Sequence, residues 1–186
     1  MSLPWYRKHG KIETPLTDEE FLEGMKKGKF VKPEHKGFVA LLHYTAVRKE
    51  EALRAKREQF RLEPDQVIFD VGKRLKHGIH TPSLNIPLSA PYVDEIWKAV
   101  EKTKLGTRVF PYSSKTGYNI VSRVFKYPHY HRLSRITNFF LDGYTIPEVH
   151  SWTGLTLSAL DYYVGLVTVR EMGESLAKKN KSNIEV

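Results

Sequence analysis

Two short runs interrupt a chain otherwise patterned for helices, and they set the class of fold open to it. Val67-Ile68-Phe69-Asp70-Val71-Gly72 is rich in β-branched and aromatic residues, and Ser83-Leu84-Asn85-Ile86-Pro87-Leu88 alternates apolar with polar residues around a terminal proline. The basic connection between them contains Gly and Pro, so the pair predicts a β-hairpin with a long loop. Elsewhere the period is helical. Thr17 and Glu20 form a capping-box pattern at the head of a helix over Thr17–Met25, and Pro33-Glu34-His35-Lys36-Gly37 then reads as a break. The apolar run Phe38 to Leu42 predicts a buried helix, and the Lys, Glu and Arg of Arg48–Phe60 predict a second, more exposed one. Val93, Ile96, Trp97 and Val100 keep helical spacing, followed by a short extended piece over Gly106–Tyr112. Helices are expected at about 114–126, 130–142 with Gly143 closing it, and from Thr145, where Glu148 completes another capping box and Pro147 sits in the first turn. A last helix, 158–173, puts Leu160, Tyr163, Val164 and Val167 on one face. The expected class is α+β, mainly α-helical, with a small antiparallel sheet inserted early.

A chain of 186 residues with 40% hydrophobic and 27% charged content has the balance of one globular domain. Thirty Lys and Arg against 21 acidic residues give a net charge of +9, which suits a polyanionic partner such as nucleic acid. The absence of cysteine excludes disulfides and thiolate metal sites. No apolar run approaches the roughly 18 residues of a membrane span, and the N-terminus carries no hydrophobic signal core. A cytoplasmic, DNA-associated protein with no membrane partner is the expectation.

Several residues could carry chemistry. Arg48 precedes Glu51 by three, a spacing that pairs them on one helix face and that ordinarily marks a surface ion pair of small worth. His129 and Arg132 stand three apart, and His131 lies between them. Without cysteine or a neighbouring acidic cluster, the two histidines are not expected to hold a metal. Tyr162 and Tyr163 are adjacent on the last helix, where a tyrosine is more often core than nucleophile.

Taken in order, these residues read Arg, Lys, His-x-x-Arg, Tyr, and the set resembles the catalytic domain of the tyrosine recombinases, or phage integrases. Thr45-Ala46-Val47-Arg48-Lys49-Glu50-Glu51-Ala52-Leu53 resembles the family's Thr-Gly-Leu-Arg-x-x-Glu segment, with Ala46 where glycine is usual. Lys73, 25 residues after Arg48 and at the end of the first strand, matches the family's lysine, with Lys76 its rival. His129-Tyr130-His131-Arg132 fits the His-x-x-Arg box, and Asn85-Ile86-Pro87-Leu88 resembles the strand that anchors the register. Gly154 keeps a family glycine, but Leu155 stands where histidine or tryptophan is usual. Either Trp152 supplies that donor through its indole N–H or the donor is missing. Tyr163 takes the nucleophile's position when Leu157 is aligned with the family's apolar residue, and a different gap selects Tyr162. The resemblance spans residues 37 to about 170.

The resemblance implies a mechanism that these side chains suit. Strand cleavage passes through a doubly negative phosphorane, which planar guanidinium forks at Arg48 and Arg132 can clamp. A phenol with a pKa of about 10 needs a proton acceptor, and His129 is the candidate for that base or for a phosphate donor. The leaving 5′ oxygen needs a proton, which Lys73 would give. The resulting 3′-phosphotyrosyl bond would need neither metal nor cofactor. The implied protein is a site-specific recombinase or integrase acting on double-stranded DNA and self-associating there as a tetramer, encoded by a virus or mobile element. The alternatives are a catalytically degenerate DNA-binding protein of the same fold and a type IB topoisomerase-like enzyme. The implied organisation is a basic lead-in at 1–36, a catalytic domain at 37–175 and a polar tail at 176–186.

Overall fold

The computed structural model describes residues 15–71, 83–165 and 167. At its centre lies α2 (Pro33–Thr45), whose Phe38, Val39, Ala40, Leu41 and Leu42 are wholly buried. A helix apolar on every side must be covered on every side, and its neighbours do so: α4 (Val93–Glu101), α5 (Ser114–Ser122), α6 (Pro128–Leu141) and the sheet. Gly37 makes the closest approach possible, since a Cβ there would fall 2.6 Å from the carbonyl oxygen of Glu95 on α4. Pro33, expected to break the chain, instead opens α2, because a missing N–H costs nothing in a helix's first turn.

The capping box of α1 (Asp18–Lys27) forms as expected, Glu20 N–H donating to Thr17 Oγ1 (3.1 Å) and Thr17 N–H to Glu20 Oε2 (2.9 Å). Phe21 and Met25, one turn apart, enter the same core as α2. The sheet has three antiparallel strands in the order β1 (Phe60–Leu62), β2 (Gln66–Asp70), β3 (Ser83–Pro87). The expected hairpin is β2–β3, with Val67 opposite Ile86 and Phe69 opposite Leu84, all four buried on one face.

The single helix expected over Arg48–Phe60 is not formed. α3 (Lys49–Arg54) is followed by a 3-10 turn at Arg57–Gln59 and then β1, whose Phe60 stacks on Phe69 with ring centroids 4.5 Å apart. Ala55 and Arg57 leave the helix because their backbones pair elsewhere: Val109 N–H donates to the Ala55 carbonyl (2.9 Å) and Arg57 N–H to that of Thr107 (3.1 Å). The expected extended piece at 106–112 supplies those partners and adds one bridge, Lys56 with Arg108.

α7 (Ile146–Thr153) starts at Thr145, with Glu148 Oε2 accepting from the Thr145 N–H (2.7 Å), and ends at Gly154 in the left-handed conformation, φ +60°. Thr156 then caps α8, helical over 157–165, its Oγ1 accepting from Ala159 N–H (3.3 Å). Leu160, Tyr163 and Val167 are buried along one face.

Candidate active site

Arg48 is the residue from which α3 starts, and the chain reaches it through a left-handed step at Ala46, φ +53°. Glu51 fixes it twice, its carboxylate accepting the Arg48 backbone N–H (2.7 Å) and the guanidinium Nη1–H (3.3 Å). The Arg48 side chain keeps 55% of its surface exposed while Glu51 is mostly covered, so the pair holds a cation at the edge of a cavity. Such a pair adds little stability. Its consequence here is orientation.

α6 opens with Pro128 in its first turn, and its spacing of three puts His129 and Arg132 on one face. Arg132 is 2% exposed, and a guanidinium so enclosed is tolerated only when its donors are used. Nη1 donates to the carbonyl of Ala46. The turn that delivers Arg48 is therefore tied to the helix that delivers Arg132. Tyr163 lies within reach of the Arg132 charge. Burial raises the Tyr163 pKa above 10, and the nearby charges of Arg132 and Arg48 pull it back in part. His129 is exposed at the cavity wall, and the desolvation of its ring by the surrounding protein, with the positive charges of Arg132 and Arg48, holds it below its usual 6.5. His129 is therefore a neutral imidazole at pH 7, able to accept a proton.

Arg48, His129 and Arg132 border a cavity of about 370 Å³, lined also by Val47, Lys49, Glu50, Tyr118, Tyr127 and Pro128. Lys49 Nζ donates to Ser114 Oγ (2.6 Å) and to the Ser114 carbonyl (3.0 Å), while Ser114 Oγ donates to Glu50 Oε1 (2.7 Å). This knot locks the start of α3 to the start of α5. Nothing in the sequence pattern singled out the knot or the cavity wall of Tyr118 and Tyr127. A single tyrosine on a helix is too common a feature to mark such a wall.

The other expected residues divide. Tyr163 is 7% exposed and Tyr162 is half-buried, so the two tyrosines that sequence left as rivals differ in burial. Leu157, used to align them, is 58% exposed, while Leu160 and Tyr163 share the buried face of α8. Leu155 follows the left-handed Gly154 and lies half-buried against the core. His150 Nδ1–H donates to its carbonyl, fixing the turn between α7 and α8. Trp152 stays out of the cavity. Its ring meets Phe139 edge-on at 5.8 Å, and its Nε1 is buried with no partner among the described residues. His131 points the other way from His129, into an aromatic cluster, and no group of His, Asp and Glu among the described residues could hold a metal. Lys73 and Lys76 lie outside the described residues.

No family model matches the sequence, and no curated protein matches it. Solved structures do match. The recombinase XerH bound to its difH substrate, in a pre-cleavage complex, superposes with a TM-score of 0.62 at 18% identity, over 83% of this chain and 51% of that one. The Tn1549 transposon integrase in complex with circular intermediate DNA gives 0.60 at 15% identity, over 82% and 61%. The XerA recombinase gives 0.62 at 14% identity, over 88% and 66%. The chain spans about half the length of the XerH chain it matches. The shared fold is that of the tyrosine recombinase catalytic domain, mainly helical with a small antiparallel sheet.

Proposed function

We propose that this chain is a DNA strand-cleaving and rejoining domain that works through a 3′-phosphotyrosyl bond on Tyr163. One observation carries the reading: residues far apart in sequence, Arg48, His129 and Arg132, line one cavity on a scaffold of the recombinase fold, with Tyr163 within reach of the two arginine charges. Arg48 and Arg132 clamp the non-bridging oxygens of the scissile phosphate. Tyr163 Oη attacks phosphorus as its proton passes to His129, and the bond to the 5′ oxygen breaks. That oxygen takes a proton from Lys73, with Lys76 the rival donor. Rejoining runs the same steps backwards. The arginines supply the charge stabilisation that dominates such reactions, and the neutral imidazole is what lets a phenol protonated at pH 7 be activated.

The partner is duplex DNA, gripped largely through charge by a chain of net +9. XerH and the Tn1549 integrase are DNA-bound in their own structures, which favours that partner. Assembly into a tetramer on DNA and a role in a virus or mobile element complete the proposal. Leu155, apolar where a phosphate donor is usual, favours a second reading, a recombinase-fold protein that binds DNA without cutting it.

The test is covalent capture on a randomised library of nicked duplexes, followed by peptide mass spectrometry. A nucleotide remnant on Tyr163, lost in Tyr163→Phe and kept in Tyr162→Phe, is the expected result. DNA retention without any adduct would favour the binding protein instead, and no binding of duplex at all would end both readings.

A further inference from the structure

A phosphodiester accounts for only one side of the cavity beside Arg48 and Arg132. Its cationic and apolar lining come from the same two stretches of chain: Val47 directly precedes Arg48, and Tyr127-Pro128 directly precede His129. A ligand held by the guanidinium groups therefore lies against the apolar wall. Tyr118 of α5, a residue 46% exposed, closes that wall. The one carboxylate in the lining, Glu50, is engaged by Lys49 (3.1 Å) and Ser114, so the wall offers an anionic ligand no uncompensated repulsion. A volume of about 370 Å³ exceeds what a phosphate group needs and falls in the range of sites for small organic ligands.

We propose that this cavity receives a nucleotide rather than a bare phosphate. One nucleobase next to the phosphate held by Arg48 and Arg132 leaves the duplex stack and rests on Tyr118 and Tyr127. The proposal builds on the DNA-cleaving reading above. Every base has a π-face, so stacking on an aromatic side chain adds affinity without regard to sequence. Unstacking from a duplex costs a few kcal/mol, least at mispaired or unpaired positions. The two effects nearly balance, so the wall favours DNA whose pairing beside the cleavage point is already weak. Guanidinium groups supply charge recognition, and the tyrosines make an abasic position a poor substitute.

Two small probes isolate the wall from the rest of the DNA interface: thymidine 3′,5′-bisphosphate and 1,2-dideoxyribose 3,5-bisphosphate, which lacks the base. Calorimetric titration of the intact chain should find the thymidine compound binding roughly tenfold tighter, the equivalent of about 1.4 kcal/mol. Tyr118→Ala should bring the two within about twofold while leaving the base-free compound unchanged. Equal affinity of the two probes for the wild type would overturn the proposal, as would a Tyr118→Ala loss shared equally by both. The covalent capture on duplex DNA described above keeps the outcomes apart. An adduct on Tyr163 with no base preference would sink the base shelf and leave the recombinase reading standing. Failure of both probes, with no adduct, would sink the two together.

Discussion

His129 and His131 stand two residues apart on α6, yet they belong to different halves of the molecule. His129 opens onto the cavity with Arg48 and Arg132. His131 is fully buried on the opposite side, its ring edge-on to Phe125 at 4.7 Å, to His43 at 5.7 Å and to Phe21 of α1 at 6.1 Å. His43 stacks flat on Phe21, centroids 3.7 Å apart, and donates Nε2–H to Asp18 (3.1 Å), which also faces Arg135 at 3.8 Å. One helix thus presents an imidazole to the cavity on one side and locks α1 to the core on the other. Two steps along a helix turn a side chain by roughly 200°, which is why identical residues so close in sequence acquire unrelated work.

If that division is real, substitutions should sort into those that change chemistry and those that change stability. The largest effect is expected at His129. His129→Ala should slow adduct formation about 10²–10⁴-fold, the usual worth of a positioned acid or base, and leave the thermal midpoint unchanged. His131→Leu should leave the rate per folded molecule within a few-fold. Because the His129 pKa lies below 6.5, the acid limb of the cleavage rate should also fall below pH 6.5. The phenol of Tyr163, held above 10, adds no limb of its own below that value. A rate profile centred on pH 6.5 or higher would remove His129 from the role of base.

On the locking side, Phe21→Ala removes a ring that is 1% exposed, stacked on His43 and 5.8 Å from Phe125. About 3–5 kcal/mol of stability should be lost by denaturant titration, a large share of a typical domain's total. Adduct formation by the folded fraction should be spared. If the chemistry fell in proportion with the stability at every denaturant concentration, the two halves would not be separable.

A smaller effect, and one with a sign fixed by linkage, concerns pH. Burial drives the His131 pKa well below 6.5, and neither ring nitrogen has a partner among the described residues. His43 shifts downward too, burial outweighing its bond to Asp18. The unfolded chain takes up protons as pH drops through 6.5 while these folded imidazoles do not, so stability is intact above pH 6.5 and declines below it. His131→Leu should remove up to about 2 kcal/mol of the loss between pH 6.5 and pH 5. Parallel stability curves for the two proteins over that range would assign the decline to other groups.

The sequence made local signals legible and hid pairings between distant segments. The capping boxes at Thr17 and Thr145 form as expected, since both partners lie within one turn. The β2–β3 hairpin was legible from its alternation. β1 was not, because Arg48–Phe60 has helix-forming composition and only the backbone of residues 107–109 draws Ala55 and Arg57 out of the helix. In the site, the order of Arg48, His129, Arg132 and Tyr163 was readable, but the wall of Tyr118 and the knot of Lys49, Glu50 and Ser114 join α3 to α5 across more than 60 positions. Windowed patterns cannot register such contacts. The shared face of Leu160 and Tyr163 was legible from helical spacing and is buried as expected, but burial alone assigns the nucleophile to neither tyrosine.

The finest test bears on the residue that touches both halves. Ala46 ends α2, the helix that carries His43, and its carbonyl accepts from Arg132 in the site. Its φ of +53° explains why glycine is the usual residue of such a segment: a Cβ in the left-handed region costs about 1–2 kcal/mol. Ala46→Gly relieves that strain. It also gives up a fully buried methyl, worth about 0.8 kcal/mol, and adds unfolded-chain freedom of about 0.5–1 kcal/mol. The contributions nearly cancel, so the midpoint of unfolding should move by less than about 1 kcal/mol equivalent. Ala46→Val, β-branched in a conformation that disfavours branching and in a site with no spare room, should lose more than Ala46→Gly changes in either direction. Loss of adduct formation in Ala46→Val beyond what its folded fraction explains would mean that this turn sets the spacing between Arg48 and Arg132. A loss matched by unfolding alone would confine Ala46 to the fold.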